Sequence, residues 1–250
     1  PGRHLVRGAR YTLAALAAVV VLWQLIVTLT GVPSYILPSV GKVAASFAYN
    51  WALIGEHMLV TLAEVVLGLI IGTFLGFVTA IHLEMSSTAR LFLRPILIFS
   101  QAIPVFALAP LLTLWLGYGM VSKVMMAILI IYFPVTSSFY DGLSNTPKPF
   151  IDIARTMGTT KWRELFLVKM PAAMPSLFSG IRLATVYAPI GATIGEWVGS
   201  SQGLGYLMLL ANGRVQTDLM FASLLTLGVM SMGLYASITL ILARLSQYHQ

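Results

Sequence analysis

From Val65 to Leu83 the chain reads Val-Val-Leu-Gly-Leu-Ile-Ile-Gly-Thr-Phe-Leu-Gly-Phe-Val-Thr-Ala-Ile-His-Leu, nineteen residues without Asp, Glu, Lys or Arg. A helix needs about 20 mainly apolar residues to cross a hydrocarbon layer of ~30 Å. A strand of a membrane barrel would be shorter and would alternate apolar with polar. This run does neither, and lipid leaves a helix as the way to satisfy its backbone. Working outward, the same reading applies to Tyr11–Gly41 (31 residues), Pro95–Ser122 (28), Val124–Tyr140 (17) and Leu219–Ala243 (25). Between Met170 and Gly213 only Arg182 and Glu196 interrupt. The pattern predicts an all-α, polytopic membrane protein. Its six transmembrane helices fall at roughly 11–31, 59–83, 95–116, 122–141, 175–197 and 219–243, in one domain over residues 1–250.

Composition agrees. Of 250 residues 58% are hydrophobic and 9% charged, with a mean hydropathy of +0.88, where a soluble domain carries about 25% charged residues. That excludes an ordinary cytosolic enzyme, a disordered tail and a secreted disulfide scaffold. With no Cys there is no thiolate metal site and no cysteine nucleophile. The net charge of +7 reflects orientation rather than nucleic-acid binding. With the N-terminus inside, the cytoplasmic side holds Arg3, Arg7, Arg10, Arg90, Arg94, Lys148, Arg155, Lys161, Arg163, Lys169, Arg182 and Arg244, and the other side Lys42, Lys123 and Arg214. The positive-inside bias then sets N-in, C-in, and an even number of spans fits both ends lying inside.

Two connections stand out. The outer segment 32–58 opens Val32-Pro33-Ser34-Tyr35-Ile36-Leu37-Pro38-Ser39. Val43, Ala44, Phe47, Ala48 and Trp51 then form a helix-period stripe expected to lie in the membrane interface. The inner segment 145–171 reads Asn-Thr-Pro-Lys-Pro-Phe-Ile-Asp-Ile-Ala-Arg-Thr-Met-Gly-Thr-Thr-Lys-Trp-Arg-Glu-Leu-Phe-Leu-Val-Lys-Met-Pro. Thr146 before Pro147 marks a helix start, and Ile151, Ala154 and Met157 share a face. Gly158 takes a positive φ at a tight turn. A second short helix from about Lys161 carries Trp162, Leu165, Phe166 and Lys169, and Pro171 ends it. A plain linker folded onto the bundle is the competing reading of composition alone.

At this point the chain resembles a family, the membrane permease subunits of ATP-binding-cassette importers. Their cytoplasmic loop carries Glu-Ala-Ala, three residues, Gly, nine residues, Ile-x-Leu-Pro. Here stand Asp152-Ile153-Ala154, then Gly158, then Val168-Lys169-Met170-Pro171, at the same spacing. Asp152, Ile153, Val168 and Met170 depart in identity, while Ala154, Gly158 and Pro171 match. The resemblance covers nearly the whole chain. Ile36-Leu37-Pro38-Ser39, Gly195-Glu196-Trp197 and Gly203-Leu204-Gly205 are similar to the subgroup importing sulfonates, taurine, nitrate and thiamine-precursor pyrimidines.

The resemblance implies that Asp152, Ala154, Gly158 and Pro171 belong to a coupling helix-turn-helix between spans four and five that docks on a cassette ATPase. Ala154 would let it seat closely, and Asp152 would meet a basic residue. It implies two ATPase subunits, which bind ATP and Mg, so that this chain holds no cofactor, no metal and no catalytic residue. It further implies a second permease copy, an extracytoplasmic solute-binding protein meeting segments 32–58 and 198–217, a setting in inner-membrane lipid, and no nucleic acid.

Polar and broken positions within the spans suggest the path. Ionisable groups at membrane depth cost ~2.5–3.5 kcal/mol on insertion scales, which singles out Glu64, Arg182 and Glu196. Each serves the path or reaches an interface or neighbouring helix, Arg182 by extending its long side chain. The run from Pro95 holds Gln101, Pro104 and Pro110, and as a straight helix it would reach ~42 Å, so a kink or tilt is expected. Gln101, Pro104, Phe106, Tyr187, Thr193 and Glu196 are the candidate path residues. Gly68, Gly72 and Gly76 form a ladder for close helix packing.

No Gly-x-x-x-x-Gly-Lys-Ser/Thr occurs, since Gly41-Lys42 is followed by Val43. His4, His57, His82 and His249 are scattered, and Gly203-x-Gly205 follows a span, so neither metal nor dinucleotide chemistry is indicated. An ATP-driven importer permease is the reading that results. The neutral path residues Tyr187, Phe106 and Gln101 favour a thiamine-precursor pyrimidine as solute, with a sulfonate, taurine or nitrate as alternative. An ion-coupled carrier would need Glu64 and Glu196 to relay protons, and an intramembrane enzyme would need polar residues clustered at one depth.

Overall fold

The computed structural model describes residues 2–247, with side chains from 14 to 246. Arg3, His4, Arg7, Arg10 and His249, named above, have side chains outside that range. The described residues form α1 (Gly2–Thr30), α2 (Val40–Tyr49), α3 (Trp51–Met85), α4 (Ser87–Ala102), α5 (Val105–Leu116), α6 (Met120–Ser144), α7 (Lys148–Thr156), α8 (Lys161–Glu164), a π-helical turn (Leu165–Lys169), α9 (Met170–Gly199), α10 (Leu204–Gly213) and α11 (Thr217–Gln247). The architecture is all-helical. Four rods are long and apolar enough to cross a membrane: α3, α6, the continuous helix Lys161–Gly199, and α11.

The expected third span departs from the kink or tilt its prolines suggested. It is broken into α4 and α5, which meet at 101°. Ile103 and Pro104 are both extended there, with ψ of 120°. A proline disfavours helical ψ at the residue before it, and Ile103 takes the extended alternative ahead of Pro104. Pro95 and Pro110, by contrast, are absorbed inside α4 and α5.

The core is a three-helix stack of α3, α6 and α9 around Val65, Ile131, Val135, Phe139, Leu177 and Ala188. The ladder explains how α3 approaches α6. A Cβ at Gly68, Gly72 or Gly76 would lie 2.6–2.9 Å from Ala127, Ile131 or Val135. A second core gathers Val43 of α2, Ile54 of α3, Leu204 and Leu207 of α10 and Leu219 of α11, with Trp23 against it. Trp23 Nε1 also donates to the Pro38 carbonyl at 3.1 Å, and Ser39 caps α2 by accepting from Lys42 N–H. Of the α2 stripe only Val43 is buried; Ala44, Phe47, Ala48 and Trp51 face outward.

At the α6–α9 contact a glycine meets backbone rather than side chain. A Cβ at Gly191 would sit 2.7 Å from Ala127 Cα and 3.0 Å from Met126 O, both backbone atoms. Alanine raises helix propensity by about 1 kcal/mol, but overpacking against unyielding backbone costs typically ~1–3 kcal/mol. Gly191→Ala is therefore expected to lower the melting temperature of the purified protein, and an unchanged or raised melting point would refute this packing.

Candidate functional site

One continuous helix, Lys161–Gly199, carries three polar features: a loop at its first residues, a groove at its middle and a cluster at its last turn.

At the first end, the 145–171 segment forms the anticipated helix–turn–helix with shifted details. Thr146 does not cap α7. Its hydroxyl donates to Leu143 O at 3.0 Å, Pro147 takes the cap position and the helix begins at Lys148. Gly158 turns the chain with φ +73°. There Thr159 N–H and Oγ1 both donate to Ala154 O, at 3.2 and 2.8 Å. Thr160 caps α8 by accepting from Arg163 N–H. Pro171 does not terminate the second helix, which runs on into α9. The preceding π turn, where Met170 N–H reaches back to Leu165 O, widens the backbone just ahead of the proline. A helix can then accommodate a residue without a donor.

Ion pairs fix this loop to the bundle. Glu164, buried, accepts from Arg155 Nε at 2.9 Å and from its NH2 at 3.3 Å, while Lys169 Nζ sits 2.6 Å from Glu84 of α3. The bidentate geometry is the strong form of such a pair, and through these hydrogen bonds Glu164 raises the pKa of the Arg155 guanidinium above its ordinary value.

Ala154 is 6% exposed and lies at the floor of an outward cup, between α7 and the helix that follows. What α7 and the π turn present outward is apolar. A cup of about 510 Å³ is lined by Phe150, Ile153, Met157, Leu167, Val168 and Ala172. Ile153 is 60% exposed, Met157 79% and Leu167 69%. The Asp152 side chain is exposed at its edge and forms no ion pair among the described residues.

At the last turn of α9, Glu196 is 1% exposed and so is Glu64 of α3. The two carboxyl groups are within hydrogen-bonding reach of each other. Glu196 Oε1 accepts from Thr61 Oγ1 at 2.6 Å, and its Oε2 accepts from Gly205 N–H. Leu204 N–H donates to Thr61 Oγ1 at 2.8 Å and Gly203 N–H to His57 Nδ1 at 2.9 Å. Three side chains thus meet the free N–H groups opening α10, and a carboxylate suits the positive end of the helix dipole. Gly203 has φ +106°, and a Cβ there would lie 2.2 Å from the Glu196 carboxyl carbon. Only glycine permits both. Lys123 of α6, 3% exposed, completes the cluster and donates to the carbonyls of Tyr118 and Gly119.

Donor counting places the shared proton. Glu196 is surrounded by donors, whereas Glu64 Oε2 has no partner. A hydrogen bond between two carboxyl groups needs one to be protonated, and donor counting points to Glu64 as that acid, an assignment the Glu64→Gln and Glu196→Gln pair tests.

Of the six path residues, the fold joins Gln101 and Tyr187 on one groove between α4/α5, α6 and α9. Pro104 and Phe106 lie exposed at the break beside it. Thr193 and Glu196 do not reach it. Thr193 Oγ1 is buried and donates to Pro189 O at 2.8 Å, while Glu196 serves the α10 cluster. Arg182 Nε donates to Phe178 O at 3.3 Å on its own helix. Among the described residues no group of His, Asp and Glu is placed to hold a metal. Sequence reading missed Ser137 and Ser138 of α6 on the groove, whose only signal is polarity inside an apolar run. It also missed that Thr61, Glu64, Lys123 and Glu196 converge.

The pattern for "Binding-protein-dependent transport system inner membrane component" matches residues 68–248. A probable ABC transporter permease of Haemophilus influenzae is 50% identical over 93% of this chain and 95% of its own length. A riboflavin transport system permease of Chloroflexus aurantiacus is 39% identical, covering 88% and 83%. A formylaminopyrimidine transport permease of Halalkalibacterium halodurans is 36% identical, covering 74% of each. Among solved structures, a chain of an amino acid ABC transporter superposes with a TM-score of 0.65 at 15% identity, covering 82% of this chain and 97% of that one.

Proposed function

This chain belongs to the inner-membrane components of binding-protein-dependent transport systems, the permease subunits of ABC importers, and on that premise we propose how it is arranged and what it carries. It is a multi-pass inner-membrane protein. Six spans, α1, α3, the broken α4/α5 pair, α6, α9 and α11, run N-in and C-in. Segment 145–171 then faces the cytoplasm, and α2 and α10 face outward toward the solute-binding protein. The split of basic residues supports this topology.

Segment 145–171 is the handle for the cassette ATPase, and one observation carries that assignment. Its outer face is a cup of exposed apolar residues on an otherwise charged loop outside the apolar spans. Exposed apolar patches of this kind mark protein interaction sites. Two copies of the chain, each with one ATPase, enclose the path between them, as twofold pairing is the commonest closed assembly. ATP-driven closure of the ATPases moves the two handles, and α9 carries that motion along its length. ATP shifts the population between inward- and outward-open states because it binds one of them better. ATP and Mg sit on the partner subunits.

The transported solute is a thiamine-precursor pyrimidine. The relative that handles formylaminopyrimidine supports this, as does the uncharged character of the groove holding Gln101 and Tyr187. The permease is to be reconstituted in proteoliposomes with its cassette ATPase and binding protein. ATP-dependent accumulation of an aminopyrimidine, with the complex containing two permeases and two ATPases, is the expected result. Accumulation driven by an ion gradient without ATP would overturn the reading.

A further inference from the structure

We propose that the groove at the middle of α6 and α9 is a solute-binding site that recognises an uncharged ring by hydrogen bonds, with Ser137 and Ser138 as specificity-determining residues; this rests on the permease reading above. The groove measures about 480 Å³, within the range of small-molecule sites. None of its lining side chains is acidic or basic like Asp, Glu, Lys, Arg or His, and Phe133 and Leu183 supply apolar walls beside the Tyr187 ring.

Its polar groups are unspent. On the same helices Thr136 donates back to Tyr132 O at 2.7 Å and Thr185 to Ile181 O at 2.8 Å. Ser137, Ser138 and Tyr187 have no such partner among the described residues, and the Gln101 amide has only a long 3.4 Å contact to Ser100 Oγ. Pro134, also on the groove, has no N–H to give the Ile130 carbonyl. A hydroxyl left without a partner in an apolar setting is unfavourable, so four side chains and one carbonyl ask for an occupant with donors and acceptors. A sulfonate or nitrate would surrender its hydration there and meet no cation. Arg182, the nearest basic residue along α9, lies outside the lining and bonds within its own helix. The site therefore takes a flat, neutral, hydrogen-bonding ring.

The chain has no cysteine, which makes the test clean. Ser137→Cys and, on exposed α11 away from the groove, Ser237→Cys are each prepared in the permease–ATPase complex in proteoliposomes. Both are treated with a charged, water-soluble thiosulfonate, with and without ATP. Modification of Ser137→Cys and not of Ser237→Cys is expected. A millimolar neutral aminopyrimidine or riboflavin should slow that modification about tenfold, equivalent to ~1.4 kcal/mol, while taurine leaves it unchanged. Adding Ser138→Ala and Gln101→Leu should abolish protection without lowering modification of the ligand-free complex. A thiol at 137 that stays unreactive, protection by taurine equal to that by the rings, or no protection by either ring overturns the inference. Failure of the permease reading looks different, because no ATPase then joins the complex and ATP has no effect on modification.

Discussion

Glu196→Gln should unlatch α10, whereas Glu64→Gln should leave it in place, although the two residues are equally buried and touch each other. Glu196 is the acceptor for Thr61 Oγ1 and Gly205 N–H. A glutamine there has one oxygen for two donors, and its amide nitrogen confronts the other. Leaving a buried donor without its acceptor costs ~1–3 kcal/mol, and more where the lost acceptor carried charge. Glu64 needs only to donate one hydrogen bond to Glu196, which a glutamine amide does in the same volume. Its replacement should cost less than about 1 kcal/mol. Thermal melting in detergent measures the stability difference. Binding-protein-stimulated ATP hydrolysis measures whether α10 is still held where, on the proposed arrangement, the outer partner would meet it. Equal losses from both variants would show that the proton is not where donor counting puts it. Gly203→Ala should resemble Glu196→Gln, since its Cβ would displace the same carboxyl group.

That cluster marks where the sequence stops being legible. Charge-free runs located α3, α6 and α11, because hydropathy is summed over a segment and needs no partner. Close packing was visible at Gly68, Gly72 and Gly76 for the same reason, since glycine spacing is a local pattern. Glu64 and Glu196 are 132 positions apart, and a single sequence contains nothing that pairs them. Each looked like an isolated ionisable group with a path role or a structural one open to it. The fold resolved this by bringing α3, α6 and α9 together and setting α10 across their ends. Gly203-Leu204-Gly205 was read as a family signature. Its physical meaning, room for a carboxylate against a helix N-terminus, needed Glu196 in place first.

Prolines misled in a more instructive way. Pro104 was expected to bend a span and broke it, because Ile103 went extended with it. Pro171 was expected to stop a helix, yet the chain stays helical through it by way of a π turn. Local rules state that a proline lacks a donor, but the neighbouring carbonyls decide whether the backbone ends, breaks or widens. The consequence for function is direct. Had the helix stopped at Pro171, the handle would be hinged to α9. Because it continues, the loop's second helix, the groove and the α10 cluster lie on one rod, and under the proposed coupling role a displacement at Lys161 would travel along it to Glu196.

The handle itself offers the second large effect. Ile153→Asp combined with Met157→Asp should abolish association with the cassette ATPase while leaving the permease folded. Both side chains are more than half exposed, so the change adds charge to a surface already in contact with water and disturbs no core contact. In the assembled transporter the same two positions would sit at the centre of a desolvated apolar contact. Central anchors of that kind typically cost ~2–4 kcal/mol each when lost, and a buried unpaired carboxylate adds to that. Two together correspond to a weakening of about a thousandfold or more. Co-purification of the ATPase with tagged permease, followed by titration, reads the loss, and an unchanged melting temperature of the permease alone confirms that it is folded. Glu164→Gln provides the contrast. It removes the buried partner of Arg155 and Lys169, so it should loosen the loop and lower the melting point while sparing the apolar cup. If the double aspartate variant retained its ATPase at wild-type yield, segment 145–171 would not be the handle, and the contact would have to be sought elsewhere on the inner surface.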